Sequence, residues 1–280
     1  MDGIILINKE KGITSRDVVN KVSKKMKTKH VGHAGTLDPL ATGLMIIGVG
    51  KGTKILELLT QDKKEYIATV KMGLQTDTFD ITGNVIQKVK NVNIKEMDII
   101  NALNYFKGEY LQTVPKYSAV KINGKKLYEY ARNNIDIVLP KRQVTIYEIE
   151  LISINLKENE FTFRTLVSKG TYIRSLINDI GEFLNIPMTM QDLIRTKSGK
   201  FKLSDSNKIE DDLKYISIPD SLDFKIKVIN DEKTLKRVKN GNDIELTDTD
   251  EYLTLVDENN NLIAIYKKDE FLKFKAFKVF

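Results

Sequence analysis

The chain has 280 residues, with 45 lysines and arginines against 38 aspartates and glutamates, a net charge of +7 and no cysteine. That length can bury a sizeable core in one large domain with a small one beside it. The missing cysteines exclude disulfides, thiolate catalysis and cysteine-based zinc sites and suit a reducing cytoplasm, and the short run "IILIN" between Gly3 and Lys9 is too brief for a signal core or a membrane span.

Positive charge is gathered rather than spread. Residues 1–33 carry eight basic side chains against three acids and residues 116–142 seven against two, whereas 226–280 carry ten against eleven. This pattern predicts a localised face for a polyanion.

In chain order, Ile4 to Asn8 reads as a strand and "KEKG" as a turn. Thr14 with Asp17 three residues on is a capping box, opening a helix with Val18, Val22 and Met26 on one face. A loop, "VGHAGTLDPLATG", follows. In "YIATVKMG", Tyr66, Ala68, Val70 and Met72 alternate with Ile67, Thr69 and Lys71, as in a half-buried strand. Asn93 with Glu96 predicts the start of a second helix, whose inner face is Met97, Ile100 and Leu103 and which Gly108 stops. From Val114 to Arg142, between Pro115 and Pro140, periodicity fails and Tyr117, Tyr128 and Tyr130 interleave with basic residues. This stretch reads as a surface excursion with a short helix inside. Strands resume at "TIYEIELISI" and "FTFRTLV". Ile173, Leu176, Ile177, Ile180 and Leu184 then set a helical period over three turns. "SDSNKIEDD" and "SIPDSLDF" read as connecting material, and beyond about Ile226 "YLTLV" and "LIAIY" flank "DENNN" as a hairpin of a separate small β domain.

Two motifs are decoys. "GVGKGTK" resembles a phosphate loop, but Met45 stands where the first glycine belongs and Gly52 where Ser or Thr should follow Lys51. His30 and His33 have an H-x-x-H spacing, yet they are the chain's two histidines, so a metal would need carboxylates from elsewhere; the alternative is a loop histidine contacting phosphate or base. Asp38 has two readings. Before Pro39 it can simply open a turn. Its neighbours Gly32, Ala34, Gly35, Ala41 and Gly43, however, clear side chains away as for close approach of a large ligand. A lone exposed aspartate is a weak nucleophile and needs an organised partner. Arg174 in "SKGTYIRSLIND" can supply one, because a guanidinium favours the ionised form of a carboxylate beside it, though it also reads as a surface helix cation. Tyr172 and Arg174 flank Ile173 and are expected to face a cleft while Ile173 faces the core; Tyr172 and Tyr66 can equally be packing residues.

The strings "GHAGTLDPLATG", "GKGTK", "KKEYIATVKMG", "TDTFDITG", "YSAVKINGKKLYEYAR", "SKGTYIRSLINDIGEFL" and "LIRTKSGKF", in this order over nearly all of residues 3–203, closely resemble the TruB family of bacterial tRNA pseudouridine synthases, which act on uridine 55 in the T loop. The resemblance implies an α+β pseudouridine synthase fold with a central, mostly antiparallel mixed sheet, residues 1–225, followed by a small PUA-like β domain, residues 226–280. It puts the catalytic aspartate at Asp38 and its paired arginine at Arg174. It implies substrate contacts at Tyr66, which stacks on the flipped uracil, and at Tyr172, His33, Leu193 and Lys9, and an excursion over 114–142 that folds across the T arm. The chain departs from the family where proline gives way to Glu10 and Ile46, cysteine to Val167 and arginine to Ile194.

The implied reaction breaks the N1 glycosidic bond and rejoins uracil through C5, so no cofactor or metal is expected. Asp38 would act as a nucleophile at C1′ or C6, or as a base at C2′. The expected partner is tRNA, with no DNA or membrane, and the expected state a cytoplasmic monomer. Two other readings share the basic and aromatic features: a tRNA-binding folding helper without chemistry, and a guide-RNA-dependent enzyme acting on ribosomal RNA.

Overall fold

The computed structural model describes residues 2–61, 63–133, 135–270 and 273–280. The chain runs through β1 (Gly3–Lys9), α1 (Ser15–Lys25), β2 (Val31–His33), β3 (Thr42–Val49), α2 (Leu56–Thr60) and β4 (Lys64–Met72). A small hairpin, β5 (Leu74–Thr76) with β6 (Val85–Lys88), precedes α3 (Glu96–Tyr105) and β7 (Gly108–Thr113). The excursion holds a short hairpin, β8 (Lys121–Ile122) with β9 (Lys125–Lys126), and α4 (Leu127–Arg132). There follow β10 (Lys141–Asn155), β11 (Glu160–Val167), α5 (Ile173–Leu184), β12 (Met188–Ser198) and β13 (Phe201–Lys202). The last part contains α6 (Ile218–Ser221), β14 (Lys225–Val228), α7 (Glu232–Lys239), β15 (Tyr252–Val256), β16 (Leu262–Lys268) and β17 (Phe274–Val279).

Among the described residues one nine-stranded sheet organises the molecule, in the order β1-β3-β12-β4-β11-β10-β7, with β2 beside β3 and β13 beside β12. Its neighbours are antiparallel except β12 and β3, which run parallel at Ile194–Thr42 and Arg195–Gly43. The fold is therefore α+β with a mixed, mostly antiparallel sheet. β4 alternates as its sequence requires, with Tyr66, Ala68, Val70 and Met72 buried under the helices and Ile67, Thr69 and Lys71 half-exposed. α1, α3 and α5 cover this face: Val18, Val19 and Val22 join Ile99, Ala102 and Leu103 and Ile173, Leu176, Ile177 and Ile180 in one apolar cluster. Hydrophobic burial on this scale is what holds the sheet and helices together.

α1 begins as its sequence predicts, the Asp17 N–H donating to Thr14 Oγ1 at 3.1 Å and the Thr14 N–H to Asp17 Oδ2 at 2.8 Å. α3 differs from expectation. Its first N–H, that of Lys95, donates to Asp98 at 3.0 Å, so the cap lies two residues beyond Asn93. The buried stripe is Ile99, Ala102, Leu103 and Phe106, while Met97 is 60% exposed. Two acids, Glu96 and Asp98, could each serve as the third helical residue, and packing against α5 and β10 selects the register that buries the more apolar face.

The polar segments after β13 are more than connectors. The Asn8 N–H donates to Asn207 O and the Asn207 N–H to Leu6 O, and Ile4 exchanges both backbone bonds with Ile216, so this stretch seals the free edge of β1. A second, four-stranded sheet, β14-β15-β16-β17, forms a small C-terminal β-sheet domain. Its Ile265, Tyr252, Leu262, Phe277 and Phe280 pack with Ile4, Leu6, Leu44, Ile46, Ile55 and Leu59, so the tail is docked on the outer face of the main sheet. Lys278 pairs with Glu57 at 2.6 Å across the same junction.

The four departures are absorbed in different ways. Ile46 sits mid-strand in β3, opposite Leu6, and Val167 ends β11; both are buried in apolar clusters or beside them. Ile194 is half-exposed and Glu10 exposed. Among the described residues no helix is long and apolar enough to cross a membrane.

Candidate active site

Asp38 lies on the loop between β2 and β3, and that loop is held from beneath at several points. Ser15, the first residue of α1, donates to Leu37 O at 2.9 Å and accepts from the Leu37 N–H at 2.8 Å. The Gly12 N–H donates to Pro39 O, and the Ala41 N–H closes a turn onto Asp38 O. The turn-forming reading of Asp-Pro is thus correct for the backbone, and it coexists with a partner for the side chain.

Two buried cations complete the support. Lys9, 0% exposed, donates to Ala41 O at 2.6 Å, Glu10 O at 2.9 Å and Pro39 O at 3.3 Å. All three ammonium donors are occupied by carbonyls of the chain, so Lys9 is a strut for the Asp38 loop. Burial holds its ammonium down to about 8, opposed by the negative charge of Asp38 and assisted by the positive charge of Arg195. Arg195, 1% exposed, reaches from β12 to Leu44 O at 2.7 Å, Gly35 O at 3.2 Å and Thr36 O at 3.5 Å. Its backbone also explains Gly43, whose φ is +101° and where a Cβ would stand 2.4 Å from Arg195 O. Glycine here is required by both the conformation and the close approach of β12.

Arg174, the second residue of α5, meets Asp38 side-on. Its Nε is 2.9 Å from Oδ2, a charge contact whose N–H is not well aimed, and Nη2 donates to Oδ1 at 3.3 Å. The guanidinium is 5% exposed and the Asp38 carboxylate 36%, so the arginine lies underneath and the acid keeps an open side. Arg174 therefore does not face outward as expected; Nη1 donates to Thr78 O at 2.9 Å and Nη2 to Tyr117 O at 3.1 Å. A second carboxylate, Asp80, lies 3.6 Å from Nη1. Asp80 is held in turn by Thr78 Oγ1 at 3.0 Å and by the Thr82 N–H at 3.0 Å. Asp80 and Thr78 were not singled out in the sequence, although the self-bonding spacing Thr78, Asp80, Thr82 in "TDTFDITG" is the signal of a turn built around one acid.

Tyr66, 9% exposed, pairs with Arg195 across β4 and β12, and Leu193 with Ala68, so Tyr66, Leu193 and Arg195 share a face of the sheet. Tyr66 and Leu193 belong to the same apolar cluster as Leu37, Leu40 and Ala41 of the Asp38 loop. Tyr172 caps α5 and is half-exposed, its backbone clasped by Gln112. His33 is half-buried at the end of β2; burial first, then the charges of Arg195 and Arg16, push its imidazolium below the usual histidine range. It is a neutral ring at pH 7. His30 is exposed, and among the described residues no group of three or more His, Asp or Glu side chains converges as metal ligands would.

The site thus joins a partly open carboxylate to a buried guanidinium at the seam where β3, β12, α1 and α5 meet. A crystal-structure chain from an archaeal box H/ACA sRNP Nop10–Cbf5 complex shares this architecture, with a TM-score of 0.69 at 21% identity over 99% of this chain and 85% of that one. The fold is that of the pseudouridine synthases. The model of the "TruB family pseudouridylate synthase (N terminal domain)" matches residues 23–173. Proteins named tRNA pseudouridine synthase B are similar over nearly the whole length: one from Clostridium kluyveri is 41% identical over 100% of both chains, and one from Bacillus cytotoxicus is 41% identical over 95% of this chain and 92% of its own. This chain belongs to the TruB family of pseudouridylate synthases, which are RNA isomerases.

Proposed function

We propose that the protein isomerises uridine to pseudouridine in tRNA, at position 55 of the T loop, acting alone as a cytoplasmic monomer on the T arm. The observation that carries this reading is the ion pair between Asp38 and Arg174 on a loop cleared of large side chains. Identity of about 40% with tRNA pseudouridine synthases over their whole length supports it.

The reaction breaks N1–C1′, turns the uracil and forms C5–C1′; C5 gives up its proton and N1 ends with one, so the atoms balance without a donor. An ionised carboxylate serves whether it attacks C1′ or C6 or takes the C2′ proton. Arg174 and the struts Lys9, Ser15 and Arg195 keep it placed before substrate arrives, which is the preorganisation that lowers the barrier. Tyr66 offers a stacking surface to the extruded base, worth about 1–3 kcal/mol per base. Tyr172, His33 and Leu193 line the nucleotide's path. The exposed basic residues of 1–33 and 116–142 meet phosphates, and the excursion 114–142 closes on the T arm. Residues 1–225 form the catalytic unit and 226–280 a PUA-like RNA-binding unit.

An RNA-binding helper has no use for a charged acid facing phosphates, which it would repel. The deciding experiment incubates the purified protein with an unmodified tRNA transcript and no other macromolecule. Pseudouridine is then mapped by carbodiimide labelling and primer extension. Modification confined to the T loop is expected; dependence on an added guide RNA, or binding without conversion, overturns the reading.

A further inference from the structure

Behind the Asp38–Arg174 pair, the start of α5 is stitched to the end of β7 by side chains that the reaction chemistry leaves unused. Gln112, 1% exposed, grips the peptide of Tyr172 from both sides: the Tyr172 N–H donates to Oε1 at 2.8 Å, and Nε2 donates to Tyr172 O at 3.0 Å. Nε2 also stands 2.5 Å from the Tyr110 hydroxyl. An amide nitrogen only donates, so the Tyr110 hydroxyl accepts here and turns its own hydrogen elsewhere. With the Tyr172 N–H on Oε1 and Tyr172 O on Nε2, the Gln112 amide has no freedom to flip.

The same short stretch of β7 and the excursion root holds the next residues of the helix. Ser175 donates to Thr113 O at 2.9 Å and Arg174 to Tyr117 O at 3.1 Å. Tyr172 itself has no side-chain cap of its own. A glutamine from β7 takes the N–H of the cap residue, the bond that the third helical residue of a capping box ordinarily makes locally. The direction in which the Tyr172 ring and the Arg174 guanidinium leave the helix depends on that one peptide plane.

We propose that Gln112 is a positioning residue of the reaction, fixing the Tyr172 peptide and through it the approach of Arg174 to Asp38. This inference rests on the functional reading above. A misplacement of about 1 Å at the reacting groups can cost roughly a hundredfold in rate, so a buried amide away from the substrate can govern turnover without binding RNA.

The test compares wild type with Gln112→Leu, which is apolar and one heavy atom shorter and removes every hydrogen bond, and Tyr110→Phe, which breaks only the far link. Single-turnover conversion of a tRNA transcript at saturating protein reports the chemical step and is insensitive to the fraction of misfolded protein. For Gln112→Leu the rate constant is expected to fall about 10- to 100-fold while the tRNA Kd stays within about threefold. Tyr110→Phe should lie between it and wild type. Gln112→Glu, which keeps the acceptor for the Tyr172 N–H, serves if the leucine variant does not fold, and its expected loss is also at least about tenfold. A Gln112 variant within twofold of wild type, or a loss carried wholly by Kd, overturns the positioning role alone. Failure of wild type to convert any uridine overturns the functional reading as well.

Discussion

Arg174 and Asp38, 136 residues apart in the chain, meet edge to edge, with Nε 2.9 Å from Oδ2 and Nη2 3.3 Å from Oδ1. The guanidinium is also the junction of two other segments, through Thr78 O and Asp80 of one turn and Tyr117 O of the excursion. The acid is consequently aimed by contacts that do not involve RNA. Its open side is left for substrate.

Asp38→Asn keeps the shape of the loop but removes the charge. Release of tritium from C5-labelled uridine in tRNA should fall at least about a thousandfold, with the tRNA Kd unchanged within about threefold. Conversion surviving in the variant would remove Asp38 from the chemistry.

Arg174→Lys keeps a positive charge and loses the fork that spans Asp38, Thr78 and Tyr117. The single-turnover rate should drop by roughly a hundredfold, and the variant should also melt earlier, because the carbonyls of Thr78 and Tyr117 lose their guanidinium donors. A rate near wild type would show that charge alone suffices.

Lys9 gives a pH dependence with opposite signs for activity and stability. With its ammonium held to about 8, the charged strut is present below that pH and loses a donor to the loop carbonyls above it, so activity should decline through pH 8. Stability moves the other way: the folded value lies below the unfolded value of 10.5, the unfolded chain binds more protons between the two, and this contribution rises with pH across that window. Lys9→Arg, which does not titrate, should move the decline in single-turnover rate to higher pH. An unchanged profile in Lys9→Arg would assign the limb to another group.

Gly43→Ala should destabilise the fold by about 2–4 kcal/mol, since the new methyl meets Arg195 O at 2.4 Å in a backbone of φ +101°. Urea unfolding followed by circular dichroism measures this. A midpoint equal to wild type would mean that β3 and β12 can part freely at the site.

The tRNA Kd should weaken at least about tenfold between roughly 50 and 200 mM salt, as release of condensed counterions requires. Fluorescence anisotropy with a labelled T-arm stem-loop reads it. A flat response would count against phosphate contact by the basic segments.

Much of the fold was legible from periodicity. The alternation in β4, the Thr14–Asp17 box and the Ile173–Leu184 stripe are rules of neighbours two to four residues apart, and the structure follows them. α3 shows the limit: with Glu96 and Asp98 both able to cap, the choice of inner face was made by α5 and β10 rather than by the segment itself.

The sequence by itself determined which segments become strands and helices, that the Asp38 loop is stripped of bulk, and which acid and arginine are candidates to meet. Only the tertiary structure decided that Lys9 is a buried strut, that Asp80 joins Arg174 from the side, that Gln112 clasps Tyr172 and that the tail shares a core with β1 and β3. Local rules act through bonds between near neighbours in the chain. The direction of a long polar side chain, and the carbonyls it must satisfy once water is excluded, are set by segments that sequence distance keeps far apart.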